Sequence, residues 1–378
     1  MKIGPKYLLK IVLLFALQVG PLCRCGTADS DPPDRAAIAF EALSRLKGID
    51  LEANPGVKAA VLKVLDRTRG TAQFVEIVRD FKIRDQDPAL LEMVVRNPNN
   101  STGVEALRLI LANQDVELLK TSLAGTNAVE VAEALGHTGG KEMVPLLEPI
   151  VADPKRDLAL RKQAVRALAQ AQEGAAALLR LVRDAKLPDD VKSVAASELN
   201  QVRWANLKTE AARLLPLQPG RDALPLPPVT ELLKMPGDAK RGAEVFRRDT
   251  VGCIKCHQVN GEGIDFGPNL SEIGTKLARE ALYDAILDPS AGISFGFEAW
   301  QIELKNGDEA YGLIVSETAE ELALKTQGGI VTRYKKGDLA KREQQKLSLM
   351  PAGLQQAMST QDLVDLVEYL ASLKRRVN

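Results

Sequence analysis

The sequence is poor in cysteine, histidine and aromatic residues, and each scarcity argues against a class of protein. Among its 378 residues there are four Cys and two His. These are too few for zinc sites built from many such ligands or for a fold held by several disulfides. Aromatic residues make up 4%, a low share for an all-β sandwich or a carbohydrate-binding surface. The 50 basic residues equal the 50 acidic ones, so the basic excess of a nucleic-acid-binding protein is missing.

The first 28 residues have the pattern of an export signal. Three Lys precede the apolar run Ile11–Val19, and no acidic residue appears before Asp29. The run is too short to span a bilayer, whereas its length suits a secretory signal peptide, residues 1–28, that is cut after Ala28. Cleavage removes four basic residues and leaves 46 basic against 50 acidic ones, a net charge of −4.

The localisation predicted from this segment is periplasmic or exported. A soluble mature protein is the first expectation, because neither Cys23 nor Cys25 follows a convincing lipobox. Lipidation at one of them, or retention of the uncleaved segment, would make the membrane a partner. In the cleaved soluble chain, Cys253 and Cys256 are the only thiols left.

The rest of the chain divides into two parts that are both predicted to be mainly α-helical. Residues 33–215 are patterned as one helix after another, and four similar apolar stretches end at Leu107, Leu135, Leu168 and Leu199. Such a period is typical of an α-solenoid, and the pattern resembles HEAT-type repeats, with an irregular helical bundle as the alternative. Six Pro in residues 216–236 predict a semi-rigid linker, and a second domain follows at residues 237–376.

The second domain carries the motif C-x-x-C-H, formed by Cys253, Cys256 and His257. This motif is typical of covalent haem attachment, in which both thiols form thioethers with the haem vinyl groups and the adjacent His reaches the iron. A thioredoxin-like dithiol would need a βαβ context, whereas a helix is predicted before the motif. Half a zinc site would need further ligands, and the only spare His is His137.

Two helices are predicted to frame the motif. Ala239–Arg248 carries Gly242 and Phe246 on one face. Near the end of the chain, Ser359 and Asp362 have the spacing of a capping box that starts a terminal helix. Because a Gly on one helix lets an aromatic side chain of another approach closely, we expect these two helices to cross.

These features resemble a class I cytochrome c domain, which implies one covalently bound haem c with its iron. The resemblance implies that the carbonyl of Pro268 accepts the Nδ1–H of the proximal ligand His257, which orients the ring. It also places the distal iron ligand at Met350, with Met358 as the alternative. His137 is expected to be a surface or helix-capping residue rather than an iron ligand.

The haem domain is longer than the compact class needs, because His257 and Met350 lie 93 residues apart. The extra length predicts a small β-insert at about residues 297–346. An alternating strand from Trp300 to Lys305 and a partner at Ala310–Val315 form one hairpin, and a second hairpin follows at Leu322–Thr326 and Ile330–Tyr334.

Residues 237–376 as a whole resemble the haem-binding cytochrome c domain of planctomycete and verrucomicrobial proteins. The features that match are C-x-x-C-H, Gly267-Pro268-Asn269-Leu270, Leu287-Asp288-Pro289-Ser290, the insert with Asn306-Gly307-Asp308, and Met350-Pro351. Members of that family are often fused to helical repeats or to a propeller, and this chain has room only for the repeats.

The predicted function is that of a periplasmic mono-haem electron-transfer protein, not an enzyme, whose helical domain docks a redox partner such as a periplasmic dehydrogenase. Nucleic acid is not an expected partner. A haem enzyme or gas sensor with an open sixth position, and a binding scaffold with an auxiliary haem, remain alternatives.

Basic residues are clustered near the end of the predicted insert: Arg333, Lys335, Lys336, Lys341, Arg342 and Lys346. This cluster is either a solvated face or a docking patch for an acidic redox partner.

Overall fold

The computed structural model describes residues 40–43, 45–217 and 226–375, which are mainly helical with one small antiparallel sheet. The predicted signal segment lies outside these residues, and so does the part 218–225 of the Pro-rich stretch. Across the described ranges, no helix has the length and apolar character needed to cross a membrane. The chain divides into two compact units, Met1–Ala89 and Leu90–Asn378.

The first part of the chain is a succession of short helices. In chain order they are α1 (Pro55–Arg67), α2 (Ala72–Phe81), α3 (Asp87–Arg96), α4 (Ser101–Ala112), α5 (Val116–Leu123), α6 (Ala128–Thr138), α7 (Val144–Ala152), α8 (Leu158–Leu168), α9 (Gln172–Arg183), α10 (Asp189–Leu199) and α11 (Ala205–Leu214). In the first unit α1 packs on α2, whose apolar face buries Phe74 and Ile77. The boundary between the two units falls within α3.

In the second unit these helices pack as two rows. One row runs α4, α6, α8 and α10, and the other runs α7, α9 and α11. Neighbouring helices of the first row pack tightly, since a Cβ atom on Gly136 of α6 would lie 2.7 Å from the Cα of Ala167 on α8. The buried guanidinium of Arg161 joins α8 to α10 through two 2.7 Å hydrogen bonds to Asp190, which satisfies an otherwise costly charge.

The segment that carries C-x-x-C-H is built on a second, smaller set of helices. These are α12 (Val229–Leu232), α13 (Ala239–Arg247), α14 (Ile273–Lys276), α15 (Arg279–Leu287) and α16 (Thr360–Ser372). The expected crossing of the first and last long helices is present: the rings of Phe246 on α13 and Tyr369 on α16 lie 5.8 Å apart. The predicted capping box is also confirmed, because Ser359 and Asp362 exchange side-chain and backbone hydrogen bonds at the start of α16.

The C-terminal part of the Pro-rich stretch that we predicted to be a linker packs against this second set of helices. Leu232 of α12 is fully buried in its core, and Leu226 and Val229 pack against the same core. The second half of the Pro-rich stretch is therefore part of the packed structure, because apolar residues between its prolines pack against the core.

The predicted hairpins are both present, but they form one sheet. The strands are β1 (Trp300–Leu304), β2 (Glu309–Glu317), β3 (Glu321–Thr326), β4 (Ile330–Lys335) and β5 (Leu339–Gln344), in the order β4-β3-β2-β1-β5, with all pairs antiparallel. Their core contains Ile302, Leu322 and Leu324. Strand β5 was not predicted, because it is an exposed edge strand without apolar alternation.

Residues 90–215 of the predicted helical-repeat segment lie in the same compact unit as the predicted haem domain, Leu90–Asn378, whereas its residues before 90 belong to the first unit. The N–H of Val331 on β4 donates a 2.9 Å hydrogen bond to Ser101 Oγ on α4. Arg166 on α8 lies 3.3 Å from the carboxylate of Asp249, which also pairs with Lys255 inside the C-x-x-C-H motif at 2.8 Å. The compact units therefore divide at residue 89 and not in the Pro-rich stretch, while independent folding of the two predicted segments stays a prediction.

Candidate functional site

The C-x-x-C-H motif folds as a tight turn just after α13. Gly252, with φ of 78°, takes the left-handed conformation that favours glycine and starts a 3₁₀ turn at Cys253–Lys255. The N–H groups of Cys256 and His257 both donate to the carbonyl of Cys253, at 3.1 and 2.9 Å. The motif is therefore held compactly, with both thiols free.

The two cysteines are partly buried, and their surroundings disfavour one interpretation of the motif. Burial raises the pKa of Cys253 to about 12 and the pKa of Cys256 to about 11. A dithiol redox centre works through a thiolate with a lowered pKa, so this environment disfavours the thioredoxin-like alternative. The zinc alternative is also unsupported, since the described residues contain no cluster of three or more His, Cys, Asp or Glu that could hold a metal ion.

The ring of His257 is oriented by a backbone carbonyl. Its Nδ1 lies 2.8 Å from the carbonyl oxygen of Pro268, which can only accept, so Nδ1 carries the proton and Nε2 keeps its lone pair. Burial lowers the pKa of His257, although this hydrogen bond raises it in part. The side chain is therefore held neutral, which is the form that ligates a metal.

The loop behind His257 is shaped to receive this ring. The N–H of Gly267 donates a 2.6 Å hydrogen bond to the carbonyl of Cys256. A Cβ atom on Gly267 would lie 2.7 Å from Cε1 of His257, a separation that only glycine avoids. The free thiols, the proton at Nδ1 and this glycine cradle fit a covalently attached haem with His257 on one side.

The two candidate methionines have different surroundings. Met358 is 8% exposed and lies within the core of α13, α15 and α16. Met350 lies on the loop before α16, partly buried against the same core as Cys253. The N–H of Met350 donates to Ser348 Oγ, and the N–H of Ser348 donates to Ser290 Oγ, both at 3.1 Å. The loop that carries Met350 is thereby tied to the Leu-Asp-Pro-Ser segment after α15.

His137 is not the surface residue that we expected. It lies in the last turn of α6, and its pKa is lowered to about 4, first by burial and then by the charge of Arg108. A Cβ atom on Gly328, in the turn between β3 and β4, would lie only 2.5 Å from its ring. The surface part of the expectation is wrong because the insert that covers His137 is almost 200 residues away in the sequence. The position at a helix end is confirmed, and the absence of a role as an iron ligand stays a prediction.

The basic cluster on the insert is partly neutralised. Lys336 and Arg342 both pair with Glu317, at 2.7 and 2.8 Å, and Lys341 pairs with Glu343 at 2.7 Å. The pKa of Glu317 is lowered by its two cationic partners. A solvated, self-paired face therefore accounts for these residues better than a free docking patch.

Comparison with known families gives one match. Residues 239–302 match the family model described as cytochrome c. The match supports a haem-binding cytochrome c domain in this part of the chain, and such a domain implies covalently bound haem c with iron. It runs from α13 through C-x-x-C-H and α15 into β1. No curated protein matches the chain at a significant level.

The cytochrome c match has general functional implications. Domains of this family generally transfer electrons through haem, have redox partners and are typically extracytoplasmic. The match ends well before Met350, so it carries no information on the distal side of the haem.

Proposed function

We propose that this chain is a periplasmic c-type cytochrome that carries one haem and transfers single electrons. The observation that carries the proposal is the C-x-x-C-H turn, in which Nδ1 of His257 lies 2.8 Å from the carbonyl oxygen of Pro268, inside the segment that matches cytochrome c. When bound, the haem supplies an iron that changes between the ferric and ferrous states. We propose electron transfer rather than enzymatic catalysis as the role of this centre.

Each residue of the site has a separate task in this proposal. Cys253 and Cys256 hold the haem covalently, and the turn fixes the spacing of their thiols. His257 offers Nε2 to the iron, and Pro268 holds the proton at Nδ1, which orients the ring and raises its basicity. Met350 is the distal ligand, a soft thioether that favours the ferrous state.

The helical part of the chain is proposed to dock a redox partner protein. The support is its two rows of packed helices, which fit HEAT-like repeats and present a surface that other proteins can bind. A periplasmic dehydrogenase that needs an electron acceptor is the kind of partner that we propose. The helical part alone, immobilised on a resin, should capture such a partner from a periplasmic extract.

Replacement of both cysteines tests the haem attachment. In the variant Cys253→Ala/Cys256→Ala, covalent haem should disappear from denaturing gels stained for haem, because both thioethers are lost. The far-ultraviolet circular dichroism should stay strongly helical, since α4 to α11 bury their own side chains. Equal haem staining in the variant and the wild type would refute the proposal.

Replacement of the two methionines tests the distal ligand. Met350→Ala should keep the covalent haem but make the ferric iron partly high-spin and let the ferrous form bind carbon monoxide. Met358→Ala is the matched control and should leave the absorption spectrum unchanged while it lowers stability by roughly 2–4 kcal/mol, as for other buried Met-to-Ala changes. If Met358→Ala changes the spectrum and Met350→Ala does not, the distal ligand is Met358. If the wild-type protein itself binds carbon monoxide, a sensor or an enzyme is favoured over electron transfer.

A further inference from the structure

A cleft of about 290 Å³ is shared between the cytochrome part and the helical part of the second unit. On the cytochrome side it is lined by Cys256, Phe266, Leu349 and Pro351. In the proposed function Cys256 carries a thioether, and Leu349 and Pro351 flank the distal ligand Met350. The cleft is therefore space that the attached haem itself takes, and the residues of its other walls face the haem.

Those other walls come from the helical part and from the β-insert. They include Glu198 on α10, Arg203 and Trp204 just before α11, and Tyr311 on β2. The residues from the helical part lie outside the segment 239–302 that matches cytochrome c. The helical part therefore adds walls that the matched segment does not contain.

The chemistry of haem says what these walls have to receive. A haem has two vinyl groups on one side of its macrocycle and two propionate carboxylates on the opposite side. Thioethers at Cys253 and Cys256 would fix the vinyl side at the motif, so the propionates would point away from it. A carboxylate that leaves water for a partly buried site needs a cation or strong hydrogen-bond donors there.

Three cations line the cleft: Arg108, Lys141 and Arg203. Arg108 already donates to Thr332 Oγ on β4, and Lys141 is exposed to solvent. Within the described residues, Arg203 donates no hydrogen bond, and its only ion pair is with Glu309 at 3.5 Å. Of the three, Arg203 alone combines partial burial with unused donors.

The guanidinium of Arg203 is held in a fixed position. It lies 4.7 Å from the ring centre of Trp204 and 4.4 Å from that of Tyr311, and both rings line the cleft. Its side chain is 27% exposed, and burial lowers its pKa, which the charge of Glu309 opposes. Arginine stays charged in proteins. This partly desolvated cation suits a carboxylate, which it can bind through two parallel N–H groups.

The carboxylates of the lining make such a cation necessary. They are Glu173, Glu198, Asp308 and Glu309. Asp308 accepts a 2.7 Å hydrogen bond from Asn306, and Glu198 lies 4.0 Å from Arg166. A propionate without a cation of its own would be repelled by these groups, so it requires the free donors of Arg203.

We infer that the helical part completes the haem pocket and that Arg203 binds a haem propionate. The inference rests on the proposed function, because it needs the attached haem. Its consequence is a higher reduction potential, since ferric haem carries one more positive charge than ferrous haem and is disfavoured by a nearby cation. The same cation holds the pKa of the propionate low.

Reduction potentials of the full, haem-loaded chain between pH 5 and pH 8 test this role. Arg203→Gln removes the cation, so at pH 7 the ferric form should be favoured about tenfold, a fall of about 59 mV for one electron. This deficit should shrink towards pH 5, because the released propionate has a higher pKa and takes up a proton. Arg203→Lys keeps the charge and should show neither effect. Arg213→Gln, an exposed arginine of α11 outside the lining, is the matched control and should behave as the wild type does.

A second variant keeps Arg203 and removes its competing partner. Glu309→Gln should favour the ferrous form at least threefold at pH 7, and it decides the question if Arg203→Gln does not fold. The inference is overturned if Arg203→Gln keeps the wild-type potential, if Arg203→Lys shows the same deficit as Arg203→Gln, or if Glu309→Gln does not raise the potential. A wild-type protein without haem refutes both this inference and the proposed function, whereas a haem protein whose potential ignores these residues refutes this inference alone.

Discussion

At the scale of single residues, His137 shows how packing sets a pKa. The ordinary pKa of histidine is 6.5, and burial against the β3–β4 turn lowers it to about 4. Between these two values the unfolded chain binds a proton that the folded chain does not. The free energy of unfolding therefore falls as the pH drops from about 6.5, and this loss ends near pH 4. Its full size is about 3.5 kcal/mol, since one pKa unit corresponds to about 1.4 kcal/mol.

Replacement of His137 should make the free energy of unfolding less dependent on pH. His137→Asn removes the group that titrates, so its free energy of unfolding should fall less than that of the wild type between pH 7 and pH 4.5. Urea denaturation of both proteins at the two pH values measures this difference, and all other titrating groups are shared. Parallel losses in the two proteins would mean that His137 titrates normally in the folded state.

At the scale of elements, the crossing of α13 and α16 depends on one glycine. A Cβ atom on Gly242 would overlap the backbone carbonyl of Asp365 and lie 2.7 Å from Cβ of Tyr369. Backbone cannot move away as a flexible side chain can. Gly242→Ala should therefore force the two helices apart and lower the free energy of unfolding by about 2–3 kcal/mol.

Gly337 provides a control for the general effect of replacing a glycine with alanine. A Cβ atom on Gly337 would have no neighbour within 4 Å, and the φ of this residue is not positive. Gly337→Ala should therefore change stability by less than about 1 kcal/mol. Chemical denaturation followed by circular dichroism compares the two variants. If Gly242→Ala is as stable as Gly337→Ala, the helices do not meet at this glycine.

The elements that could be predicted from the sequence are those with strong local signals. The capping box of Ser359 and Asp362 and the turn at Asn306-Gly307-Asp308 are local, and their predictions are confirmed. Strand β5 has no apolar alternation, and α12 is hidden among prolines, so neither gave a local signal. The surroundings of His137 and the tie between Ser290 and Ser348 join distant segments, which a single sequence does not reveal.

At the scale of the whole molecule, the core around C-x-x-C-H is built from its own part of the chain. Its side chains all come from residues 226–373. We therefore expect a fragment that starts at Leu226 and runs to Asn378 to fold and to acquire haem when it is produced with the attachment machinery.

A shorter fragment provides the control. A start at Met235 removes α12 and the fully buried Leu232, which should cost roughly 2–5 kcal/mol, as for other losses of a buried Leu. Thermal denaturation of the two fragments measures this difference. If both are equally stable, α12 is not part of the haem core; if neither is soluble, the core needs the helical part.

The strand order of the sheet has a consequence for how copies of the molecule meet each other. An open strand edge can recruit a strand from another chain and start aggregation. Strand β5 lies at one edge, and its exposed Lys341, Arg342 and Glu343 disfavour such pairing. At the other edge, the outward N–H of Val331 on β4 is occupied by Ser101 of α4. The helical part therefore covers this edge at Val331, and a chain without it would leave that N–H open to a strand from another molecule.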